Sequence, residues 1–401
     1  MSEAPAAAER PTVTLRPGAH RRVAGGHPWV YSNEVAMDAA AKALPPGACV
    51  RLASHDGRAL GVAMFNPHPL IAARVMSRDA AAAIDRSWLA DRLARALRLR
   101  ERLVPAPYYR LVHAEADGLP GAVIDRFGPA LVVQLNTAGM ERLLPELLAA
   151  LDEVLAPATV LLRNDAPARG LEGLDSHVRL ARGRLDGPVE LIENGVRFLA
   201  DLEGGQKTGW FFDQRDNRAA VARLAAGARM LDLYGYSGGF AVQAAAAGAA
   251  EVTVVDRSEP ALALAARSAA LNGVEKRCRF ERGEVFQTLQ RLADAGERFD
   301  LVTADPPAFV KSRKDVKGGA RAYRKLARMA AALVRPEGLL FIASCSHNLE
   351  PALFAEQVGR GLHDAGREGR ILFSSGAAPD HPVHPALPES AYLKAQLLQV
   401  D

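Results

Sequence analysis

Asp232-Leu-Tyr-Gly-Tyr-Ser-Gly-Gly-Phe240 is the stretch that decides the fold. It follows a short apolar run, Arg229–Leu233, and leads into a helical segment, Phe240–Ala247. Gly235, Gly238 and Gly239 allow the backbone to turn tightly and to approach a ligand. A strand, a glycine turn and a helix are the first repeat of a doubly wound α/β sheet, and the chain beyond continues the alternation. Strands are expected at Glu251–Asp256, Cys278–Arg282, Phe299–Ala304 and Gly338–Ser344, and helices at Asp216–Leu224, Pro260–Asn272, Val285–Ala295 and Ala322–Val334. The turn is not the G-x-G-x-x-G of dinucleotide enzymes, whose pyrophosphate needs a helix N-terminus aimed at it. With Asp232 at its start and Tyr234 and Ser237 within it, the turn suits a ligand with a cationic amino-acid end.

Ligands of such sheets bind at the carboxyl ends of the strands, so the residues there carry most of the information. Asp256 ends the second strand, 24 residues after Asp232, and a carboxylate there accepts hydrogen bonds from both hydroxyls of a ribose. Arg257 follows; Ser258 caps the next helix and Pro260 fits its first turn. The third strand leads to Glu284 and Val285, an acid for an adenine amino group and an apolar cover for its ring. The fourth ends in Asp305-Pro306-Pro307. Taken singly, each acid is equally well a helix N-cap; three at consecutive strand ends point to S-adenosylmethionine (SAM). Upstream, Gln206–Arg218 is polar, hinged at glycine and aromatic, and it holds Lys207, Thr208, Asp213 and Arg215. It reads as a lid over the cofactor or as a plain helix start capped by Asp216.

Cys345 ends the fifth strand in Ile342-Ala-Ser-Cys-Ser-His347, beside the Asp305 loop. Its neighbours are polar, unlike those expected of an inert core thiol. A thiolate is the reactive form, and a cation is needed to favour it; Lys311, Arg313 and His347 are the candidates. The chemistry that needs this pair is methylation of pyrimidine carbon 5. A thiolate adding at carbon 6 makes carbon 5 nucleophilic, and Asp305 suits proton handling at the ring N3. The base must leave its stack to reach such a pocket.

The 401 residues allow two or three domains. Residues 1–78 hold short apolar runs broken by Gly-Gly, Asn-Pro and Asp-Gly, which indicates a small β-barrel. Within it, Arg16, Arg21, Arg22, His27 and Trp29 set basic groups among glycines and aromatics, a composition suited to RNA phosphates and bases; plain core is the alternative for Trp29 and Tyr31. Residues 79–190 read as a small α+β module: a helix over Ile84–Leu103, a hairpin of Ala122–Asp125 with Ala130–Asn136, a helix over Met140–Leu155 and a strand at Thr159–Arg163. The arginines of residues 86–110 read as a solvated face. Residues 191–401 form the doubly wound domain. The net charge of +4 tilts towards a nucleic-acid partner only mildly. Three separated cysteines, with no Cys-x-x-Cys pair, indicate neither disulfides nor zinc and fit a reducing cytoplasm. Apolar stretches are too short for a membrane span, and Met1–Pro5 reads as a short disordered tail rather than a secretion signal.

With these residues in view, the chain resembles the bacterial 23S rRNA 5-methylcytosine methyltransferases of the large-subunit methyltransferase I type. The likeness runs almost end to end. It includes His27-Pro-Trp-Val-Tyr31, Asp117-Gly-Leu-Pro-Gly121, Ile124-Asp-Arg-Phe-Gly128, Lys207-Thr-Gly209, Asp213-Gln-Arg-Asp216, Tyr236-Ser-Gly-Gly-Phe240, Asp305-Pro-Pro307, Ser344-Cys-Ser346, His381-Pro382 and Tyr392-Leu-Lys394. The resemblance implies a PUA domain for RNA, a linking domain, a Rossmann-like class I methyltransferase domain using SAM, and Cys345 as nucleophile, with Lys311 added to the RNA-binding set. Two positions depart from the family pattern: Ala308 replaces a lysine, whose role is lost or moves to Lys311, and Glu284 replaces an aspartate. Methylation of a base nitrogen, and an RNA-binding assembly factor with a vestigial pocket, stay open at this point, as does a homodimer.

Overall fold

The computed structural model describes residues 10–401; the tail expected at Met1–Pro5 lies outside them. The chain packs as two compact units. One comprises residues 10–186, 202–208 and 380–390, the other 187–201, 209–379 and 391–401.

The second unit is built on a seven-stranded sheet. Its strands in chain order are β1 (Arg229–Leu233), β2 (Glu251–Asp256), β3 (Cys278–Arg282), β4 (Phe299–Ala304), β5 (Val334–Ser344), β6 (Gly369–Ser375) and β7 (Lys394–Val400). Their spatial order is β3-β2-β1-β4-β5-β7-β6. The first five are parallel, and β7 runs antiparallel to both neighbours. Parallel strands covered on both faces need continuous apolar runs, and Leu231, Leu233, Val254, Val255, Val302 and Ile342 are buried accordingly. Five strands stand where the sequence puts them, although β5 starts earlier, at Val334, and the helix before it spans Val316–Leu333 rather than starting at Ala322. A hairpin precedes the sheet, Val189–Glu193 with Val196–Ala200, closed by Asn194 and Gly195, both with positive φ.

In the first unit, Thr12–Thr14, Ala48–Ala53, Ala59–Phe65, Ile71–Ser77 and Trp29–Tyr31 form a sheet in that spatial order. A bridge between Leu15 and Val35 joins its two edges, as a barrel requires. A second five-stranded sheet adds Tyr108–His113 and His177–Arg182 to the expected strands. The helix Arg86–Leu103 packs on it through Leu89, Leu93 and Ala96. Arg100 continues that stripe one turn on, so it is buried rather than solvated. It makes a two-pronged bond to Asp117, at 2.6 and 2.7 Å. This corrects the expectation of a wholly solvated arginine face. Among the described residues, no helix is long and apolar enough to cross a membrane, and no cluster of His, Cys, Asp or Glu could hold a metal.

Candidate active site

The glycine turn leaves β1 through an unusual backbone. Tyr234, Tyr236 and Gly238 have φ of 61°, 47° and 83°, a region that disfavours side chains. Asp232 is the brace. One carboxylate oxygen accepts from the Thr303 hydroxyl at 2.7 Å on β4, the other from the Ala241 backbone N–H at 3.2 Å in the next helix. A side chain at Gly235 would strike Val254 Cγ1 at 2.4 Å, so this glycine is required by packing. At Gly239 an added carbon would meet Arg218 Nε at 2.5 Å. Burial, helped by Asp305, pushes the Asp232 carboxyl up to about 7, against the opposing bonds from Thr303 and Ala241. The Ser237 hydroxyl is buried with no protein partner.

Asp256 ties the turn to the next loop. Its two oxygens accept from the backbone N–H of Tyr236 at 2.9 Å and of Ser258 at 2.8 Å, which leaves a lone pair on each for a ligand. Ser258 caps its helix through the Ala261 N–H, with Pro260 in the first turn, and Arg257 is exposed. Glu284 is exposed and caps the helix Val285–Asp294 through the Gln287 N–H. Tyr234 stands near both acids; burial first, then Glu284, pushes its phenol up. Val285 is buried, Asp305 is half-buried at the end of β4, and Pro306 is buried behind it. The orphaned Ser237 hydroxyl, the spare lone pairs of Asp256 and the side-chain-free turn fit SAM, and none of the three requires a pyrophosphate.

Cys345 is half-buried, and its two neighbours hold it. Ser344 donates to the Tyr323 hydroxyl at 2.8 Å, and that hydroxyl meets Ser346 Oγ at 3.0 Å. Ser346 Oγ also accepts from the Val310 N–H at 3.1 Å, which joins the cysteine turn to the Asp305–Val310 loop. Both serines and Tyr323 are fully buried. From the other side, Lys394 Nζ donates to the carbonyls of Ser346 at 2.6 Å and Leu349 at 2.8 Å. The sequence reading gave neither Tyr323 nor Lys394 a role. His347 is exposed and stacks on Tyr392, whose hydroxyl donates to Asp213 at 2.5 Å.

Asp213 is buried, and the helix after it spans Arg215–Ala222. Gln214, not Asp216, stands at its N-cap. Asp216 falls inside the first turn, where its charge meets the helix dipole instead. Arg215 and Arg218 approach the buried Glu193 at 3.7 and 2.7 Å, and Trp210 donates to it at 3.0 Å. The Asn194-Gly195 pair was the signal for the hairpin that delivers Glu193. Lys207 and Thr208 fold with the first unit, where Thr208 donates to Asp125 at 2.6 Å.

Of the basic barrel residues, Arg16 and Arg21 are exposed. Arg22 pairs with Glu34 at 2.7 Å and lies over Tyr31; the Trp29 indole donates to Glu115 at 2.6 Å; the His27 ring accepts from the Trp29 N–H at 3.1 Å. Burial, then Arg22, lowers the His27 pKa. In the second unit, Lys311, Arg313, Lys314, Lys317 and Arg321 form an exposed basic run just past the Asp305 loop.

A family model for S-adenosylmethionine-dependent methyltransferases matches residues 174–399, and one for PUA-like domains matches residues 13–78. Ribosomal RNA large subunit methyltransferase I of Klebsiella pneumoniae is 36% identical over 394 residues, 96% of this chain and 97% of the relative. The protein of that name from Shewanella amazonensis is 37% identical over 393 residues, 97% of this chain and 99% of the relative. A solved structure described as a SAM-dependent methyltransferase from Streptococcus mutans shares the fold, with a TM-score of 0.81 at 20% identity over 97% of this chain and 100% of that one. Another methyltransferase structure, complexed with SAH, has a TM-score of 0.82 at 20% identity, over 98% and 100% of the two chains.

Proposed function

This chain belongs to the family of the ribosomal RNA large subunit methyltransferase I proteins, SAM-dependent methyltransferases, and on that premise we propose that it methylates carbon 5 of a cytosine in 23S rRNA through a covalent bond from Cys345. The observation that carries the finer reading is the cysteine turn: a half-buried thiol locked between two buried serines, one of them bonded to the Asp305–Val310 loop. An inert core cysteine needs no such clamp.

Asp232, Tyr234, Gly235, Ser237, Gly238 and Gly239 form the wall for the amino-acid end of the cofactor. Asp256, Arg257 and Ser258 take the ribose, Glu284 and Val285 the adenine, and Asp305 with Pro306 the side nearest the base. Asp213 and Arg215, with Lys207 and Thr208, are assigned to the covering segment. Bound SAM supplies an electrophilic methyl group. Cys345 Sγ forms a bond to carbon 6, and the ring's electron pair moves to carbon 5 as Asp305 handles the proton at N3. After methyl transfer a base removes the carbon 5 proton, the carbon 5–carbon 6 double bond re-forms and the thiolate leaves. The barrel residues Arg16, Arg21, Arg22, His27 and Trp29, with Lys311, are the proposed RNA contacts; residues 1–78, 79–190 and 191–401 are the proposed RNA-binding, linking and methyl-transferring parts. The work is cytoplasmic.

Replacing Cys345 by Ala tests the mechanism. Methylation of 23S rRNA falls to background, while the calorimetric affinity for SAM stays at the wild-type value. Wild-type turnover in that variant sinks the covalent route, and mass analysis placing the methyl on a ring nitrogen replaces carbon chemistry by nitrogen chemistry. A wild-type protein that binds no SAM would instead be an assembly factor.

A further inference from the structure

Lys394 opens β7 and is 8% exposed. A buried ammonium is retained only where its N–H groups are satisfied and its charge is used. The Ser346 and Leu349 carbonyls take two of its three N–H groups. Both of these acceptors are neutral. The acidic groups whose charge reaches it are Glu350 and, when ionised, Cys345. Burial lowers its pKa, and Cys345 is the larger of the two influences that raise it back. Other titratable groups near the turn include Tyr323 on the helix Val316–Leu333, Asp305 at the adjacent strand end, and His347 with Tyr392 stacked on it. The basic groups singled out by sequence, Lys311 and Arg313, are exposed to solvent, where their fields are screened.

We propose that Lys394 is the positioning residue for Cys345: its ammonium pins the turn through two carbonyls and favours the thiolate by its charge. The inference rests on the reading of Cys345 as nucleophile. It also gives a purpose to the lysine of the Tyr392-Leu-Lys394 motif, whose tyrosine bonds to Asp213. An opposite charge a few ångströms away lowers a thiol pKa, whereas a purely structural tether leaves it where it was.

The test reads the thiol directly. Alkylation of Cys345 by iodoacetamide is followed against pH by peptide mass spectrometry in the full-length protein. Cys278, whose thiol burial pushes up to about 11, serves as an internal control. In Lys394→Met the alkylation midpoint of Cys345 rises by about one pH unit, and kcat for rRNA methylation falls at least about tenfold with KM unchanged. Lys394→Arg restores most of both. Lys394→Gln keeps N–H donors without charge, and it shifts the midpoint as the Met variant does, which covers the case of a Met variant that fails to fold. An unchanged midpoint in the Gln variant overturns the proposal, whatever happens to methylation. If Cys345→Ala still methylates, the nucleophile reading fails, and the alkylation midpoints still report by themselves whether Lys394 tunes the thiol.

Discussion

At the ends of β1 and β2 the backbone does the holding. Tyr234, Tyr236 and Gly238 take left-handed conformations, and Asp256 and Asp232 tie the strained loop to its surroundings by accepting N–H groups from Tyr236 within it, from Ala241 in the next helix and from Ser258 in the next loop. At the end of β5 the backbone is ordinary and the side chains do the holding: two serine hydroxyls, a tyrosine hydroxyl and an ammonium fix the turn that bears one thiol. The first arrangement shapes a wall that a ligand can approach closely. In the proposed mechanism the second aims a reactive atom. A wall tolerates fixed main-chain dipoles and needs spare lone pairs, while a nucleophile needs its rotamer and its protonation state set. The two ends of one crevice are therefore stabilised by different chemistry, and they should be separable by mutation.

The largest separation is expected from Asp256→Ala. Losing two charge-assisted backbone bonds and the ribose acceptor weakens SAM binding about 10- to 100-fold by calorimetry, with the alkylation midpoint of Cys345 unchanged. A shifted midpoint would show that the two ends are coupled and would break the comparison. Asp232→Asn comes next, through pH. The Asp232 carboxyl titrates near 7 in the folded protein and near the ordinary 3.8 when unfolded, so the folded state holds the extra proton between those values. Stability from this group is full below about pH 4 and is lost as pH rises towards 7. The stability difference between wild type and variant should therefore shrink by about 1 kcal/mol per pH unit across that window, read from denaturant melts. A difference that is flat with pH would mean that Asp232 is ionised throughout. The smallest effect belongs to the cysteine end. Tyr323→Phe leaves the Ser344 hydroxyl without its acceptor and destabilises by about 1–3 kcal/mol; methylation slows several-fold while SAM affinity holds. Weakened SAM binding in that variant would tell against separable ends.

The cofactor end was legible because its signals are local. Apolar runs such as Met230–Leu233 and Val252–Val255 sit next to their turn, and Asp256 is read from its place at a strand end. The cysteine end was half legible. Cys345 and its serines are contiguous, but Tyr323 lies 21 residues before Ser344 and Lys394 lies 48 after Ser346. Nothing local joins them; the insertion of β7 does. That strand was itself hidden, because Lys394 and Gln396 interrupt its apolar pattern although both are buried. Strand β6 was hidden for the opposite reason: mostly exposed, it carries no core signal. Arg100 misled because it continues an apolar stripe with a charge that only the distant Asp117 satisfies.

Every other strand of the sheet precedes β7 in the chain, yet β7 lies between β5 and β6. Synthesis from the N-terminus therefore completes the glycine turn and the Asp256 loop before Lys394 is joined to the growing polypeptide. The wall for the cofactor can assemble on a nascent chain. The turn that bears the thiol gains its Lys394 bonds only when a late strand enters between two made earlier, so this end of the sheet is completed after the other.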